Sequence, residues 1–272
     1  MTSTTNPETV SGERIEELQQ MAGDHMFMHA AQINDWRGNL RVYVKGDGVW
    51  VETLDGQRHL DAMAGLWYKS VGYGRTEIAD AVYAQMTAID SPPAGSSTIP
   101  QIELAGKVAD LYPDHGARSF FVSGGSEAVE TAVKMAKKYS QLNGKGGAFK
   151  VISRRYSYHG GTAMSVSLGR SPAADPMGPE MPGALHVTNW NSYRLPFDGD
   201  PIDVAVKCAN EMEEVIIHQG PETVAAIIAE PVSAAFGIQI PPAVYWHRLR
   251  EIADKYDVVL IADEVITGFG RL

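Results

Sequence analysis

The chain has 272 residues, 44% of them apolar and 21% charged, which suffices for one large α/β domain or a large and a small one. A formal net charge of -10 argues against gripping nucleic-acid phosphates with clustered Lys and Arg, and against adsorption on an anionic membrane, leaving a small molecule as the better ligand. The single cysteine, Cys208, excludes an internal disulfide and a thiolate metal cluster and suits a reducing compartment, by default the cytoplasm.

The opening "MTSTTNPETVSGERIEELQQ" has no apolar core for a signal peptide, and no window reaches the roughly 18 apolar residues of a membrane-spanning helix. "GERIEELQQMA" reads as a short helix, and "VWVETLDGQRHLDAMAG" carries the Asp55-Gly56 turn of a β-hairpin belonging to a small N-terminal lobe. From Thr76, the apolar residues Ile78, Val82, Met86 and Ile89 recur at helical spacing until Ser91-Pro92-Pro93 stops them, and a second helix runs from about Ile102 to Leu111. Then follow strand "RSFFVS", a helix from Ser126 to about Gln141, strand "FKVIS", and a loop-rich stretch around 171–198 with Pro172, Pro176, Pro179, Pro182 and Pro196. That stretch is too long for a plain connection and suits a cover over a site. A helix through Val204, Cys208, Met212 and Ile216, strand "VAAIIAE", a helix from about Ala243 to Tyr256 and strand "VVLIAD" complete the order. Continuous apolar strands separated by helices predict a mostly parallel sheet covered on both faces, with ligands bound at the carboxyl ends of the strands.

The residues at those strand ends have chemistry in common. In "FFVSGGSEAVETAVKMA", Gly124 and Gly125 let a ligand approach the backbone, and Ser126 opens a helix whose free N–H groups favour a phosphate. The structural reading of the same residues is a Ser cap after a Gly turn. The spacing is not that of a nucleotide P-loop. In "SYHGGT", Tyr158 and His159 set two flat side chains beside a backbone that can come close to a planar ligand, although a His before two glycines also makes an ordinary turn. Glu230-Pro231 follows "VAAIIA", where an acid is either a ligand group or a loop cap. Asp263 follows "VVLIA", and a carboxylate at that depth requires an Arg or Lys, a metal, or a ligand with a protonated nitrogen. No His and carboxylate spacing nearby matches a metal site. A protonated aromatic nitrogen, a phosphate and a ring to be stacked together describe pyridoxal phosphate.

With "SGGSEAVETAVKMA", "YHGGT", "AEPV", "ADEVITGFGR" and "LDAMAGLWYKSVGYG" in that relation, the sequence resembles the class III pyridoxal-phosphate aminotransferases, and most closely the ω-amino acid:pyruvate transaminase branch, from roughly Arg37 to Leu272. The resemblance implies the aspartate aminotransferase type of fold, fold type I, with a mostly parallel seven-stranded sheet, flanking helices, and active sites shared between the subunits of a homodimer. Residues 1–70 would contribute to the small domain and 71–272 to the large cofactor-binding domain, incomplete at its C-terminal side. By the same resemblance Gly125 and Ser126 hold the phosphate of pyridoxal 5'-phosphate, with Gly124 beside them among the cofactor-binding residues. Tyr158 and His159 lie over one ring face, Val265 lies against the other, and Asp263 pairs with the pyridine nitrogen. Glu230 sits beside the cofactor, behind it or facing substrate, and Trp67 and Tyr158 line the amine pocket.

The sequence departs from the family at one point. The family's Schiff-base lysine follows "DEVITGFGR" by a few tens of residues, and here no lysine follows Lys255. The ending "GFGRL" has no stop or cap signal, so the chain is expected to break off within a loop. The expected function is that of the N-terminal part of a transaminase moving an amino group from an amine or ω-amino acid donor to a keto acid such as pyruvate, inactive by itself. The alternatives are a non-catalytic cofactor-binding fragment, or an aminomutase, epimerase or decarboxylase relative of the same fold.

Overall fold

The computed structural model describes residues 11–28, 31–112, 116–169 and 178–271. Pro172, Pro176 and Leu272 lie outside them. The chain forms two compact units, Met1–Glu103 and Leu104–Leu272.

The N-terminal unit begins with α1 (Gly12–His25), whose Ser11 hydroxyl accepts from the Arg14 N–H at 3.3 Å, with Glu13 in the first turn and His25 in the last complementing the helix dipole. The short helix α2 (Ile33–Trp36) follows. Strands β1 (Tyr43–Asp47), β2 (Trp50–Thr53) and β3 (Arg58–Leu60) form an antiparallel meander. Asp55-Gly56 makes the β2–β3 turn, with Gly56 at φ +81° and the Thr53 hydroxyl donating to Asp55. Next comes α3 (Ala64–Trp67), in which Ala64, Gly65, Leu66 and Trp67 all have positive φ, three of them with a Cβ. Such consecutive left-handed residues persist only where surroundings over-determine them. Helix α4 (Thr76–Ala88) matches its apolar periodicity, yet Ile78, Val82 and Met86 are about half exposed or more. Helix α5 (Ile99–Ala109) spans the boundary between the units.

The C-terminal unit holds a four-stranded parallel sheet in the order β5-β4-β6-β7, from β4 (Lys150–Arg154), β5 (Ala184–Val187), β6 (Val224–Ala229) and β7 (Val259–Ala262). Helices α6 (Gly125–Leu142) and α7 (Ala163–Gly169) cover one face, and α8 (Pro201–Gln219) and α9 (Ala243–Lys255) the other. Strand β6 shows why both faces need cover. Ile227 and Ala229 join the core under α8 and α9, while Ala226 and Ile228 join the core under α6 and α7. A bulge opposite Lys150 and Val151, where β6 carries the extra residue Ala225, sets that phase. Met212, Ile216, Leu249 and Ile252 are fully buried between α8, α9 and the sheet, each contributing about 1.5–3 kcal/mol by the area it removes from water.

Two expectations are corrected. "RSFFVS" (118–123) is not a strand, and its Phe120, Phe121 and Val122 are 65%, 41% and 37% exposed. Its apolar run is a local signal, whereas a strand needs a neighbour, and among the described residues no strand pairs with it. The loop-rich stretch contains β5, and α7 lies just before it. Glu130 of α6 reaches across to α7. Its Oε1 accepts from the Thr162 hydroxyl and from the N–H groups of Met164 and Ser165, capping α7.

Cys208 on α8 is fully buried, and burial first, with Glu211 adding and Arg154 opposing, pushes its thiol up to about 12. Its thiolate is therefore scarce at neutral pH. We expect no reaction with a water-soluble aromatic disulfide in native buffer and full reaction in guanidinium; rapid labelling of the native chain would contradict this packing.

Candidate active site

Three parallel strands and one helix deliver their ends to the same place, as expected for ligand sites in parallel sheets. The turn after β4 carries Tyr158 and His159, the end of β6 carries Glu230, the end of β7 carries Asp263, and α6 begins beside them. Lys145 holds the approach to β7, its Nζ donating to the carbonyls of Tyr256 at 2.6 Å and Asp257 at 2.7 Å. Asp257, at φ +49°, turns the chain from α9 into the strand. At the far end the Asp263 N–H donates to the Ala229 carbonyl at 2.9 Å, extending the ladder by one bond and setting Asp263 beside Glu230.

Asp263 is 8% exposed, and both carboxylate oxygens are engaged. Oδ2 lies 2.6 Å from His159 Nδ1, and Oδ1 accepts from the Val265 N–H at 3.2 Å. The His159 side chain is wholly buried, and its Nε2 has no hydrogen-bond partner among the described residues. The sequence reading set Tyr158 and His159 together over one face of a ring. In the structure both line the same cavity, but Tyr158 is 46% exposed whereas His159 is buried and bonded through Nδ1 to the acid, 104 residues away in the chain.

Gly124 is the N-cap of α6 and offers no side-chain cap; Ser126 lies inside the first turn. Glu127 reaches back to accept from the Ser123 N–H at 2.7 Å. The Ser126 hydroxyl accepts from the Gly161 N–H at 3.0 Å. The N–H groups of Gly125, Ser126 and Glu127 belong to the first turn and have no intrahelical acceptor. Gly125 has no room for a side chain, since a Cβ there would stand 2.9 Å from Val265 Cγ1.

A cavity of about 180 Å³ opens between these elements, lined by Gly125, Ser126, Tyr158, His159, Gly160, Glu230, Val232, Asp263, Val265 and Ile266. Of the nine residues proposed from the sequence, seven meet here. Gly124 flanks the cavity as the cap, and Trp67 belongs to the N-terminal unit. The volume is below the roughly 300–1,000 Å³ of pockets that enclose a whole ligand. Sequence reasoning missed Arg154. This side chain is fully buried at the end of β4 and paired with Glu230, and its only sequence signal was a pair of arginines directly after an apolar strand.

A parallel sheet covered on both faces, with a buried carboxylate and a helix start at its carboxyl edge, is the arrangement in which α/β folds bind ligands. Residues 33–272 match the family described as aminotransferase class-III, and the chain belongs to that family. It is 38% identical, over 96% of its length and 58% of the relative's, to the putrescine–pyruvate aminotransferase of Pseudomonas aeruginosa. An (S)-enantioselective ω-transaminase from Thermomicrobium roseum superposes with a TM-score of 0.90 at 38% identity, over 97% of this chain and 59% of that one. An amine transaminase from an uncultivated Pseudomonas species, solved in its PLP-bound form, gives a TM-score of 0.83 at 37% identity, over 91% and 56% of the two chains. The chain spans about half the length of the curated relatives it matches.

The cofactor of this family is pyridoxal 5'-phosphate, and the residues present fit it. A buried carboxylate braced on both oxygens faces the cavity, an exposed phenol ring lines it, and the hydroxyl and free N–H groups at the start of α6 border it where a glycine leaves the backbone bare.

Proposed function

We propose that this chain supplies the cofactor-holding wall of a transaminase of the ω-amino acid:pyruvate branch, which moves an amino group from an amine or ω-amino acid donor to a keto acid such as pyruvate. The observation that carries this reading is the buried Asp263–His159 pair, which faces the same cavity as Ser126 at the start of α6. When bound, pyridoxal phosphate supplies a protonated ring that takes up the charge left on a substrate carbon after proton loss. Asp263 holds the proton at the pyridine nitrogen, through a charge-assisted bond about twice as strong as a neutral one. His159 braces Asp263. Gly125 and Ser126, with Gly124 beside them, bind the phosphate at the positive end of α6. Tyr158 would cover one ring face and Val265 the other, Glu230 would stand beside the cofactor, and Trp67 and Tyr158 would each serve the amine side as the family resemblance implies. Residues 1–70 contribute to the small domain and 71–272 to the large one of a cytoplasmic homodimer.

No lysine follows Lys255. On this reading none of the chain's own lysines carries the cofactor, and the chain by itself is expected to bind without turnover. That same observation favours the second reading, a cofactor-binding fragment without catalysis. An absorbance titration of the purified chain with pyridoxal phosphate, beside an intact mass, tests both. At 29.5 kDa the chain should bind the cofactor and show no visible band of lysine-bound cofactor. A longer natural polypeptide should show that band and lose it when an amino donor is added. Failure of either species to bind pyridoxal phosphate would refute the functional reading.

A further inference from the structure

We propose that Arg154 is a positioning residue of the cavity: its buried cation holds Glu230 as a paired carboxylate and, through Glu230, fixes the backbone of Tyr158. The inference rests on the reading above only for what the cavity binds. None of the Arg154 side chain is exposed; Nη2 donates to the Glu230 carbonyl at 2.7 Å and to Oε2 at 2.6 Å, and the Tyr245 hydroxyl adds a looser contact with the guanidinium. Nε and Nη1 have no hydrogen-bond partner among the described residues, and the guanidinium lies 5.8 Å from the centre of the Tyr245 ring. Taking a guanidinium wholly out of water for so few bonds is costly, and an apolar side chain of that volume would serve the core as well. Its presence therefore points to a use for the charge.

That use lies on the other side of the pair. Glu230 is 5% exposed and lines the cavity; its Oε1 accepts from the Tyr158 N–H at 3.1 Å and stands 3.5 Å from the Ser233 hydroxyl. Both oxygens are taken, one by a cation that does not lose its proton, so Glu230 is a strut and not a proton carrier. Burial opposes the arginine's charge, and Tyr245 and Glu230 together outweigh it. The ionisable groups facing the pair are Tyr158 and His159 after β4, Cys208 on α8, Tyr245 on α9 and Asp263 after β7.

The test compares Arg154→Met with the double variant Arg154→Met/Glu230→Gln, which has the same volume at position 154 and no orphaned charge. In the single variant Glu230 stays buried without its cation, keeping only the Tyr158 N–H and the Ser233 hydroxyl beside it, which raises its folded-state pKa above the unfolded value. Stability is then present at low pH and lost as pH rises. The deficit in Tm against the unaltered chain, measured without cofactor, should widen from about pH 5 to about pH 8 in the single variant and stay constant in the double. At about pH 8 the single variant should bind pyridoxal phosphate at least about tenfold more weakly, and the double should recover, because Gln Oε1 still accepts from Tyr158. A single variant that folds only when Glu230→Gln is added supports the proposal equally. A deficit that does not change with pH, or a double variant no better than the single, overturns it. If the unaltered chain fails to bind pyridoxal phosphate, the proposed function falls while the pH comparison still decides the role of Arg154.

Discussion

Asp263→Asn is expected to lower kcat of the transaminase by roughly 10²–10³-fold while the cofactor stays bound, because on the proposed reading the substitution removes the fixed charge at the cofactor and changes no residue of α6. The geometry adds a second, local effect. Asp263 now faces two groups on two oxygens, His159 Nδ1 at 2.6 Å and the Val265 N–H at 3.2 Å. An asparagine presents one oxygen and one NH₂, so either the Val265 N–H or a His159 Nδ1–H loses its acceptor, or His159 carries its proton on Nε2, which has no hydrogen-bond partner among the described residues. Leaving that group unsatisfied in a site this buried costs about 1–3 kcal/mol, which a urea titration resolves. If the Val265 N–H is the one released, the loop after β7 loses its tie to the strand end and Val265 moves relative to Gly125. The check is turnover of an amine donor with pyruvate, read beside the cofactor retained after gel filtration. Retained cofactor with undiminished turnover would remove Asp263 from its assigned role.

The core of the C-terminal unit was legible because its signals are local. The apolar spacing of Val204, Cys208, Met212 and Ile216 gave α8, and the unbroken runs "VAAIIA" and "VLIA" gave two parallel strands. What was missed depends on partners distant in sequence. Helix α7 is seven residues with three glycine or serine positions, and its N-terminus is capped by Glu130 from another helix, so its own sequence carries little helical signal. "RSFFVS" fails in the opposite way, with a strong local pattern and no neighbour to complete it. The same division holds in the site. Backbone motifs marked Gly125, Ser126, Tyr158 and Asp263, whereas the pairing of His159 with Asp263 and of Arg154 with Glu230 is set by the juxtaposition of strand ends 104 and 76 residues apart. An isolated "YHGG" does not say which of its side chains faces a ligand and which turns inward to brace an acid.

The two glycines of that motif separate the same way, and Gly160→Ala should be among the most damaging single substitutions in this unit. Gly160 has φ +132°, a conformation L side chains rarely adopt, and a Cβ there would stand 2.5 Å from Ser126 Oγ, 2.7 Å from Ser165 Oγ and 2.9 Å from Ser126 Cα. None of these is the free end of a flexible chain. Ser126 Oγ is engaged by the Gly161 N–H, and Ser165 Oγ by the Thr162 N–H at 3.0 Å, so relief of the clash breaks the contacts that tie α6 to the start of α7. Strain of about 1–3 kcal/mol and overpacking of about 1–3 kcal/mol act together, giving an expected loss of at least about 2 kcal/mol. Ser126 would also be pushed off its place at the cavity, weakening phosphate binding. Gly161 provides the control, since a Cβ at that position meets nothing within 4 Å and φ is not in the left-handed range. Gly161→Ala should therefore cost no more than about 0.5 kcal/mol, as an exposed substitution without a special conformation does. Denaturant unfolding of both variants decides the matter: equal losses would show that the close approach of the Gly160 backbone to Ser126 is not what holds the start of α6 at the site.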